Sequence, residues 1–275
     1  MLKIFGSIFN GLMIYTCYEM IQDCRAGKPE GREYFATHYV PMIRHLLAHY
    51  VPAQASDVHF VEKTVKALCM PGSRLFESQE PAPERTFVTA LRQHLLEAVA
   101  ANFPEPDIRV DLDALAQALD EMTVLERQAV WMETMRYGTA DAARMLRMQA
   151  QSVERIRQRA AERLRGVLDQ WSSAVLTENG PALASEAASR ATAECRPAKD
   201  FLDVIDGRMT WRGREEIDSH VRLCWNCLDH FCRLLETTDL LRASSPLPEE
   251  ELESFRRVLE VPAGKRPLWK RIFAG

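Results

Sequence analysis

Residues suited to bind a transition metal cluster in the last third of this 275-residue chain. His220 precedes Cys224 by four positions, and Cys227 completes a Cys-x-x-Cys pair. On a helix, positions i and i+4 share one face, so the imidazole and the first thiolate can reach one ion. Thiolate and imidazole are ligands that Zn²⁺ takes in tetrahedral sites. The spacing therefore predicts a zinc site and leaves its fourth ligand open.

Two further cysteines are candidates for that fourth ligand. Cys195 lies upstream of the histidine, and Cys232 follows five residues after Cys227. The chain has seven cysteines, and four of them fall between positions 195 and 232. Without an export signal, such clustering favours a metal site over disulfides. Redox sensing is the alternative, because Cys-x-x-Cys thiolates can be reactive.

A second candidate site is an arginine-rich helical segment in the middle of the chain. Thr123 and Glu126 have the spacing of a capping box at a helix N-terminus. A short helix over 140–146, a three-residue turn and a long helix over 150–168 follow. Two helices joined by so short a turn must cross steeply, which predicts a helix-turn-helix.

The long helix has an outward face that can bind DNA. Its apolar residues recur every three or four positions and face inward, and the outward positions are Gln151, Ser152, Arg155, Gln158 and Arg159. Arginine pairs with guanine and glutamine with adenine in the major groove. Residues 124–168 hold nine Arg, no Lys and five acidic residues, a net charge of +4, although the whole chain carries −4. A solvated amphipathic helix is the alternative interpretation.

Composition predicts that helices position both sites. Hydrophobic residues make up 47% of the chain and only 12 residues are glycine, which favours an all-α fold. We predict a helical N-terminal domain, a helix-turn-helix domain, an Ala/Ser-rich linker, a zinc-binding helical domain and a tail. Their respective ranges are 1–103, 112–171, 172–193, 194–242 and 243–275.

The apolar stretch Ile4–Tyr18 is too short to span a bilayer, which requires about 20 residues. It lacks a small-residue cleavage site and is followed at once by Glu19, so a signal peptide is not expected. We predict a core or partner-binding helix here, and a cytoplasmic protein with no membrane contact.

Three stretches of the central segment, 122–130, 137–146 and 152–165, together resemble the −35-element-binding domain of bacterial sigma factors. The extracytoplasmic-function (ECF) group is the most similar. The resemblance implies that the helix over 151–164 enters the major groove of promoter DNA. Two positions depart from the family: Arg147 stands where glycine is usual in the turn, and Ala142 where isoleucine is usual.

The N-terminal segment is similar, more weakly, to the ECF sigma domain that binds RNA polymerase and the −10 element. The similarity covers residues 19–31, Phe35 and the stretch 39–41. It implies that Val61–Leu68 binds core RNA polymerase and that the region ending at Asn102 melts promoter DNA. Glu62-Lys63 replaces the Gln-Glu pair of the family.

The cysteine-rich segment resembles the zinc-binding anti-sigma domain family. The resemblance is carried by Phe201–Gly207, which ends in Asp-Gly, and by the His-x-x-x-Cys-x-x-Cys motif that begins at His220. It implies a zinc ion bound by Cys195, His220, Cys224 and Cys227. The apolar residues expected to contact the sigma-like segments are Phe201, Leu202, Ile205, Leu228, Phe231, Leu234 and Leu235.

Together these patterns predict an ECF-like sigma factor that is modulated in cis by its own zinc domain, or through a separate regulator. The alternative is a sigma-mimicking, anti-sigma-type interaction protein that has lost promoter function. The chain has no glycine-rich phosphate loop, no His-Glu-x-x-His motif and no supported Ser/His/Asp arrangement. We therefore expect no catalytic residues and no enzyme activity.

Overall fold

The computed structural model describes residues 15–77, 83–103, 105–168 and 172–261. Over these residues the chain is all-α, as predicted, with no strand and two short 3-10 helices, Arg74–Phe76 and Ala100–Asn102. In chain order the helices are α1 (Cys17–Arg25), α2 (Pro29–His38), α3 (Val40–Tyr50), α4 (Pro52–Ala55), α5 (Val58–Cys69), α6 (Glu84–Ala98), α7 (Leu112–Ala118), α8 (Val124–Thr134), α9 (Thr139–Leu146), α10 (Ala150–Val167), α11 (Ser173–Glu178), α12 (Gly180–Ser189), α13 (Ala198–Ile205), α14 (Trp211–Val221), α15 (Trp225–Ala243) and α16 (Glu249–Val258).

None of the described helices is both long and apolar enough to cross a membrane. Most of the apolar stretch Ile4–Tyr18 lies outside the described residues. Its last residues are described, and there α1 begins at Cys17 with a capping box formed by Thr16 and Glu19.

The buried apolar residues form two hydrophobic cores. One core combines α1–α6 with the end of α15 and with α16, which contributes Leu252 and Phe255. The other core runs from Val110 to Leu234 and contains both the helix-turn-helix and the cysteine-rich segment. These two segments therefore share a common core. Helix α16, in the predicted tail, packs against α1–α6, which we call the N-terminal bundle.

The helix-turn-helix has the elements that the sequence predicts. At the start of α8 the Thr123 backbone N–H donates to Glu126 Oε2 at 2.9 Å, and the Thr123 side chain accepts from the Glu126 backbone N–H. Helix α9 ends at Arg147, whose φ of 54° lies in the left-handed region. Arg147 thus adopts the conformation for which glycine is the usual residue.

The predicted linker over 172–193 is wrong, because this segment forms α11 and α12. Leu176 and Leu183 are buried in the second core. A Cβ added at Gly180 would lie 2.3 Å from the Thr134 carbonyl oxygen, so α12 packs very closely against the end of α8. Alanine and serine suit a flexible chain, but they also allow helices to approach closely. Here they serve the second purpose.

Asn179, between α11 and α12, fixes the segment that joins the two cores. Its side chain is buried; Oδ1 accepts from the Val110 backbone N–H at 2.9 Å, and Nδ2 donates to the Ile108 carbonyl at 2.6 Å. The short connection before α7 is therefore held by side-chain hydrogen bonds along its course.

Helix α15 occupies the centre of the molecule. It packs against α6 of the N-terminal bundle, against α8 and α9 of the helix-turn-helix, and against α12, α13 and α14. The longest helix of the cysteine-rich segment therefore lies between the N-terminal bundle and the helix-turn-helix.

Candidate metal centre

Cys195, His220, Cys224 and Cys227 come together in a compact cluster. Their four candidate ligand atoms all lie within 4.8 Å of one another. Cys195 Sγ and Cys224 Sγ are 3.7 Å apart, and His220 Nε2 lies 3.2 Å from Cys227 Sγ. A tetrahedral zinc ion with Zn–S bonds of about 2.3 Å requires ligand separations of about 3.5–3.8 Å. The arrangement therefore fits one four-coordinate metal ion.

Three separate elements supply the ligands. Cys195 lies in the loop between α12 and α13, His220 in the last turn of α14, and Cys224 at the N-cap of α15, with Cys227 one turn further along. The prediction that His220 and Cys224 share one face of a continuous helix is wrong. Helix α14 ends at Val221, and the chain turns before α15 begins.

The turn between the two helices retains one helical contact. The Cys224 backbone N–H donates to the His220 carbonyl at 3.0 Å, the i to i+4 bond of an α-helix. Cys224 itself has extended backbone angles. The two ligands are therefore as close in space as predicted, although a helix corner and not a helix face brings them together.

Hydrogen bonds to sulfur favour thiolates in the cluster. The Thr192 backbone N–H and Asn226 Nδ2 each donate to Cys195 Sγ at 3.3 Å, and the Thr192 contact is the main cause that lowers the pKa of Cys195 to about 7. The Arg196 backbone N–H donates to Cys227 Sγ at 3.3 Å, but burial raises the pKa of Cys227 to about 12. A buried thiolate needs a nearby positive charge, which a divalent metal ion would supply.

Cys232, the other candidate for the fourth ligand, lies outside the cluster. It is buried in the second core, and burial raises its pKa well above the usual value. Its surroundings therefore favour an inert thiol over one that exchanges readily with a ligand.

The turn that carries His220 and Cys224 of the cluster contacts the helix-turn-helix through Arg127 of α8. Its Nη1 donates to the Arg222 carbonyl at 2.8 Å, in the turn between His220 and Cys224. The same guanidinium lies 5.9 Å from the ring centroid of Trp225, the first residue of α15. One turn further along α8, Trp131 Nε1 donates to Asp229 of α15 at 3.1 Å. The corner that holds the cluster is thus bonded directly to α8.

A buried carboxylate on α15 joins three parts of the chain. Glu236 pairs with Arg92 of α6 and accepts from Tyr137, which follows α8; Tyr50 of α3 donates to it at 2.9 Å. Burial raises the pKa of both Tyr50 and Tyr137, so both phenols remain protonated donors. We call these four residues the Glu236 joint.

Bidentate ion pairs flank the joint. Arg85 of α6 binds Asp206, at the end of α13, with distances of 2.7 and 2.6 Å. Arg144 of α9 binds Asp239 of α15 with distances of 2.9 and 2.8 Å. The N-terminal bundle and the helix-turn-helix are therefore both held to the cysteine-rich segment by charged pairs as well as by apolar packing.

The predicted interface residues occupy the second core. Six of them are buried beside residues of the helix-turn-helix, and Leu235 packs against it partly buried. Sequence reasoning missed the polar half of the interface, including Glu236, Arg127 and Asp229. One sequence signal was present: Glu236 directly follows Leu234 and Leu235 in an apolar stretch.

The candidate DNA-binding residues lie on one exposed face of α10, where Gln151, Arg155, Gln158 and Arg159 are exposed and Ser152 is half-buried. Among the described residues, Arg155 donates to the Gln151 carbonyl of its own helix at 3.3 Å and forms no ion pair, whereas Arg159 forms an ion pair with Glu126 of the capping box. Helices α7, α8 and α9 pack against the opposite face. The outward face is thus open, although Arg159 already has a partner.

Comparison with known proteins identifies no relative of this chain: no family model, no curated protein and no solved structure matches it.

Proposed function

We propose that this chain is an ECF-sigma-like cytoplasmic regulator of transcription initiation, held in a closed arrangement by its own zinc-binding segment. The observation that carries the proposal is the position of α15. This helix begins at the cysteine and histidine cluster and packs between α6 and the α8–α9 pair. The sequence resemblance assigns polymerase and promoter contacts to the segments on either side. A helix bonded to both of them restricts their relative movement.

Zn²⁺ is the ion that best suits the cluster. Three thiols and one imidazole form a ligand set typical of structural zinc, and a set of four protein ligands leaves no open position for catalysis. Bound zinc would cross-link the loop before α13, the end of α14 and the start of α15. It would also neutralise part of the negative charge of the thiolates.

The exposed face of α10 is the surface proposed to bind promoter DNA. In the closed arrangement this face stays exposed, because α15 packs on α8 and α9 and leaves the outward side of α10 open. Closure would therefore leave DNA contact by α10 possible. It would instead restrict the movement of the N-terminal bundle relative to the helix-turn-helix, the two segments to which the resemblance assigns polymerase and promoter contacts.

The contacts of the tail helix α16 favour the alternative, a sigma-mimicking interaction protein without promoter function. The tail helix α16 covers α5, and Ser254 donates to Glu62 at 2.5 Å. Glu251 of α16 also pairs with Arg44 of α3. The resemblance assigns α5 to polymerase binding, so a chain that keeps this face covered could bind a different regulator through its remaining surfaces.

A pull-down with core RNA polymerase tests the proposal. The double variant Arg85→Ala/Asp239→Ala removes one ion pair on each side of the cysteine-rich segment and should increase polymerase capture. Each partly exposed pair contributes about 0.5–1 kcal/mol, so losing both shifts the closed–open equilibrium about 5–30-fold. The control Arg190→Ala breaks a pair with Asp113 that does not involve α15 and should behave as wild type.

Three outcomes distinguish the possibilities. Stronger capture by the double variant supports closure in cis. Equal capture by all three proteins would mean that the zinc segment does not inhibit. Absence of capture by every protein, with helicity intact by circular dichroism, would refute the sigma function and leave the interaction-protein alternative.

A further inference from the structure

A cavity of about 300 Å³ lies where the N-terminal bundle, the helix-turn-helix and α15 meet. Its walls come from the ends of α3 and α6, the chain between α8 and α9, and one side each of α12 and α15. This volume is at the lower end of the range of about 300–1,000 Å³ that is typical of ligand sites. The cavity is therefore large enough for a small organic molecule.

Most of the exposed lining of the cavity is apolar. Leu96 and Phe103 line it from the side of the N-terminal bundle, and Met135, Pro181 and Ala184 from the other side. Such a lining favours a ligand with a hydrocarbon or aromatic body, because burying that body removes apolar surface from water.

The cavity lining holds three arginines, Arg92, Arg136 and Arg233, against two carboxylates, Glu97 and Asp229, a net charge of +1. Arg92 is committed to Glu236 in the joint. Arg233 lies with its Nε 2.8 Å from Asp229, but this buried N–H makes no hydrogen bond. Arg136 donates to the Tyr50 carbonyl at 3.2 Å, and no carboxylate among the described residues pairs with it. Arg136 is therefore the cavity arginine with neither an ion pair nor a carboxylate partner among the described residues, whereas Arg233 is paired with Asp229 and keeps one buried N–H without a hydrogen bond.

We propose that this cavity binds a small organic anion with an apolar body, of the aryl-alkyl carboxylate class. The carboxylate would accept hydrogen bonds from Arg136 and Arg233, and the hydrocarbon would lie against Leu96, Phe103 and Met135. Guanidinium groups are well suited to carboxylates because their donors match the two oxygens.

The position of the cavity implies what such a ligand does. Its walls come from all three parts of the chain, so the complete site exists only while they are packed together. A ligand that binds only this arrangement stabilises it by mass action. The anion would therefore stabilise the closed arrangement. This regulatory effect rests on the proposed function, whereas binding of the anion to the cavity does not.

Isothermal titration of the full chain with 4-phenylbutyrate tests the site, and the neutral 4-phenylbutanamide is the matched ligand. We expect saturable single-site binding of the carboxylate, with the amide weaker by about tenfold because it lacks the charge. Arg136→Gln should weaken carboxylate binding to a similar degree. Ala188→Trp, which adds bulk at an exposed position on the rim, should abolish it. Arg190→Gln lies outside the cavity and serves as the control.

Each result decides a part of the proposal. Failure of 4-phenylbutyrate to bind, or unchanged binding in both cavity variants, would overturn the site. Equal affinity for carboxylate and amide would overturn the assignment of an anion. If Arg136→Gln does not fold, Ala188→Trp still tests the location. A chain that binds the carboxylate but never captures polymerase would disprove the proposed function and leave the ligand site intact.

Discussion

Replacing the carboxylate of the Glu236 joint should separate the three parts of the chain. Glu236 and Arg92 are only 3% and 4% exposed, so solvent cannot replace a lost partner. Glu236→Leu leaves the Arg92 guanidinium buried without a counter-charge and leaves Tyr50 and Tyr137 without an acceptor. Removing one partner of a buried ion pair costs about 3–5 kcal/mol, and we expect a loss of unfolding free energy in this range.

A double-mutant cycle isolates the ion pair from the rest of the joint. Arg92→Met should also destabilise strongly, because it leaves the carboxylate buried without its cation. In Arg92→Met/Glu236→Leu neither charge of this pair remains buried, and within the joint only the two phenols lack partners. The double variant should therefore be less destabilised than the sum of the single variants, with a coupling of about 2 kcal/mol or more.

Urea denaturation followed by circular dichroism measures all four corners of this cycle. Arg163→Gln, which breaks an exposed pair with Glu121 on the helix-turn-helix, is the control and should leave the midpoint unchanged. Single-variant losses below about 1 kcal/mol together with no coupling would show that the three segments are held elsewhere. Helix α15 would then not be the element that joins them.

Three further predictions concern the metal, the DNA face and the turn. Purified protein should contain one zinc ion per chain by elemental analysis, and Cys224→Ser should lose it; metal-free wild type prepared without chelator would contradict this. Arg155→Ala should weaken binding to duplex DNA by about 1–3 kcal/mol in fluorescence anisotropy, and more than Arg159→Ala, whose side chain already pairs with Glu126; equal, unchanged affinities would exclude α10 as the reader. Arg147→Gly should increase the free energy of unfolding by about 0.5–1 kcal/mol and so raise the urea midpoint, because glycine adopts the left-handed conformation at the end of α9 without steric cost. A lower midpoint would mean that contacts of the arginine side chain stabilise the fold by more than the left-handed backbone conformation destabilises it.

Local signals account for the parts that the sequence predicted. The capping box, the three-residue turn and the apolar spacing of α10 each involve residues within one helix length along the chain, and each follows from backbone geometry. The cysteine and histidine cluster was predicted for the same reason, since His220, Cys224 and Cys227 lie within eight positions of the chain. Only Cys195 needed the family resemblance as well.

Long-range pairing explains what the sequence did not predict. Tyr50 and Glu236 are separated by 186 positions, and no local pattern links a tyrosine of one segment to a glutamate of another. The prediction of a linker over 172–193 was wrong for a different reason. Alanine and serine suit both a flexible chain and closely packed helices, and only the close approach of Gly180 to Thr134 shows that the second applies. Composition describes the side chains of a segment, whereas the surface against which they pack belongs to other parts of the chain.

The metal centre and the Glu236 joint lie on the same helix, which links their stability. Cys227 is in the first turn of α15, and Glu236 lies nine residues further along, a distance of about 14 Å at the rise of an α-helix. The cluster would hold the start of this helix through metal ligands, and Arg127 holds the adjoining corner through the Arg222 carbonyl. If the ion were lost, the corner would be held mainly by Arg127 and the tryptophan contacts around it. Because one rigid helix carries Asp229, Glu236 and Asp239, a rotation of α15 at this corner would displace all three side chains. The side chains that join the N-terminal bundle and the helix-turn-helix would then move together, which is how an ion bound at the cluster would act on a surface that none of its ligands touches.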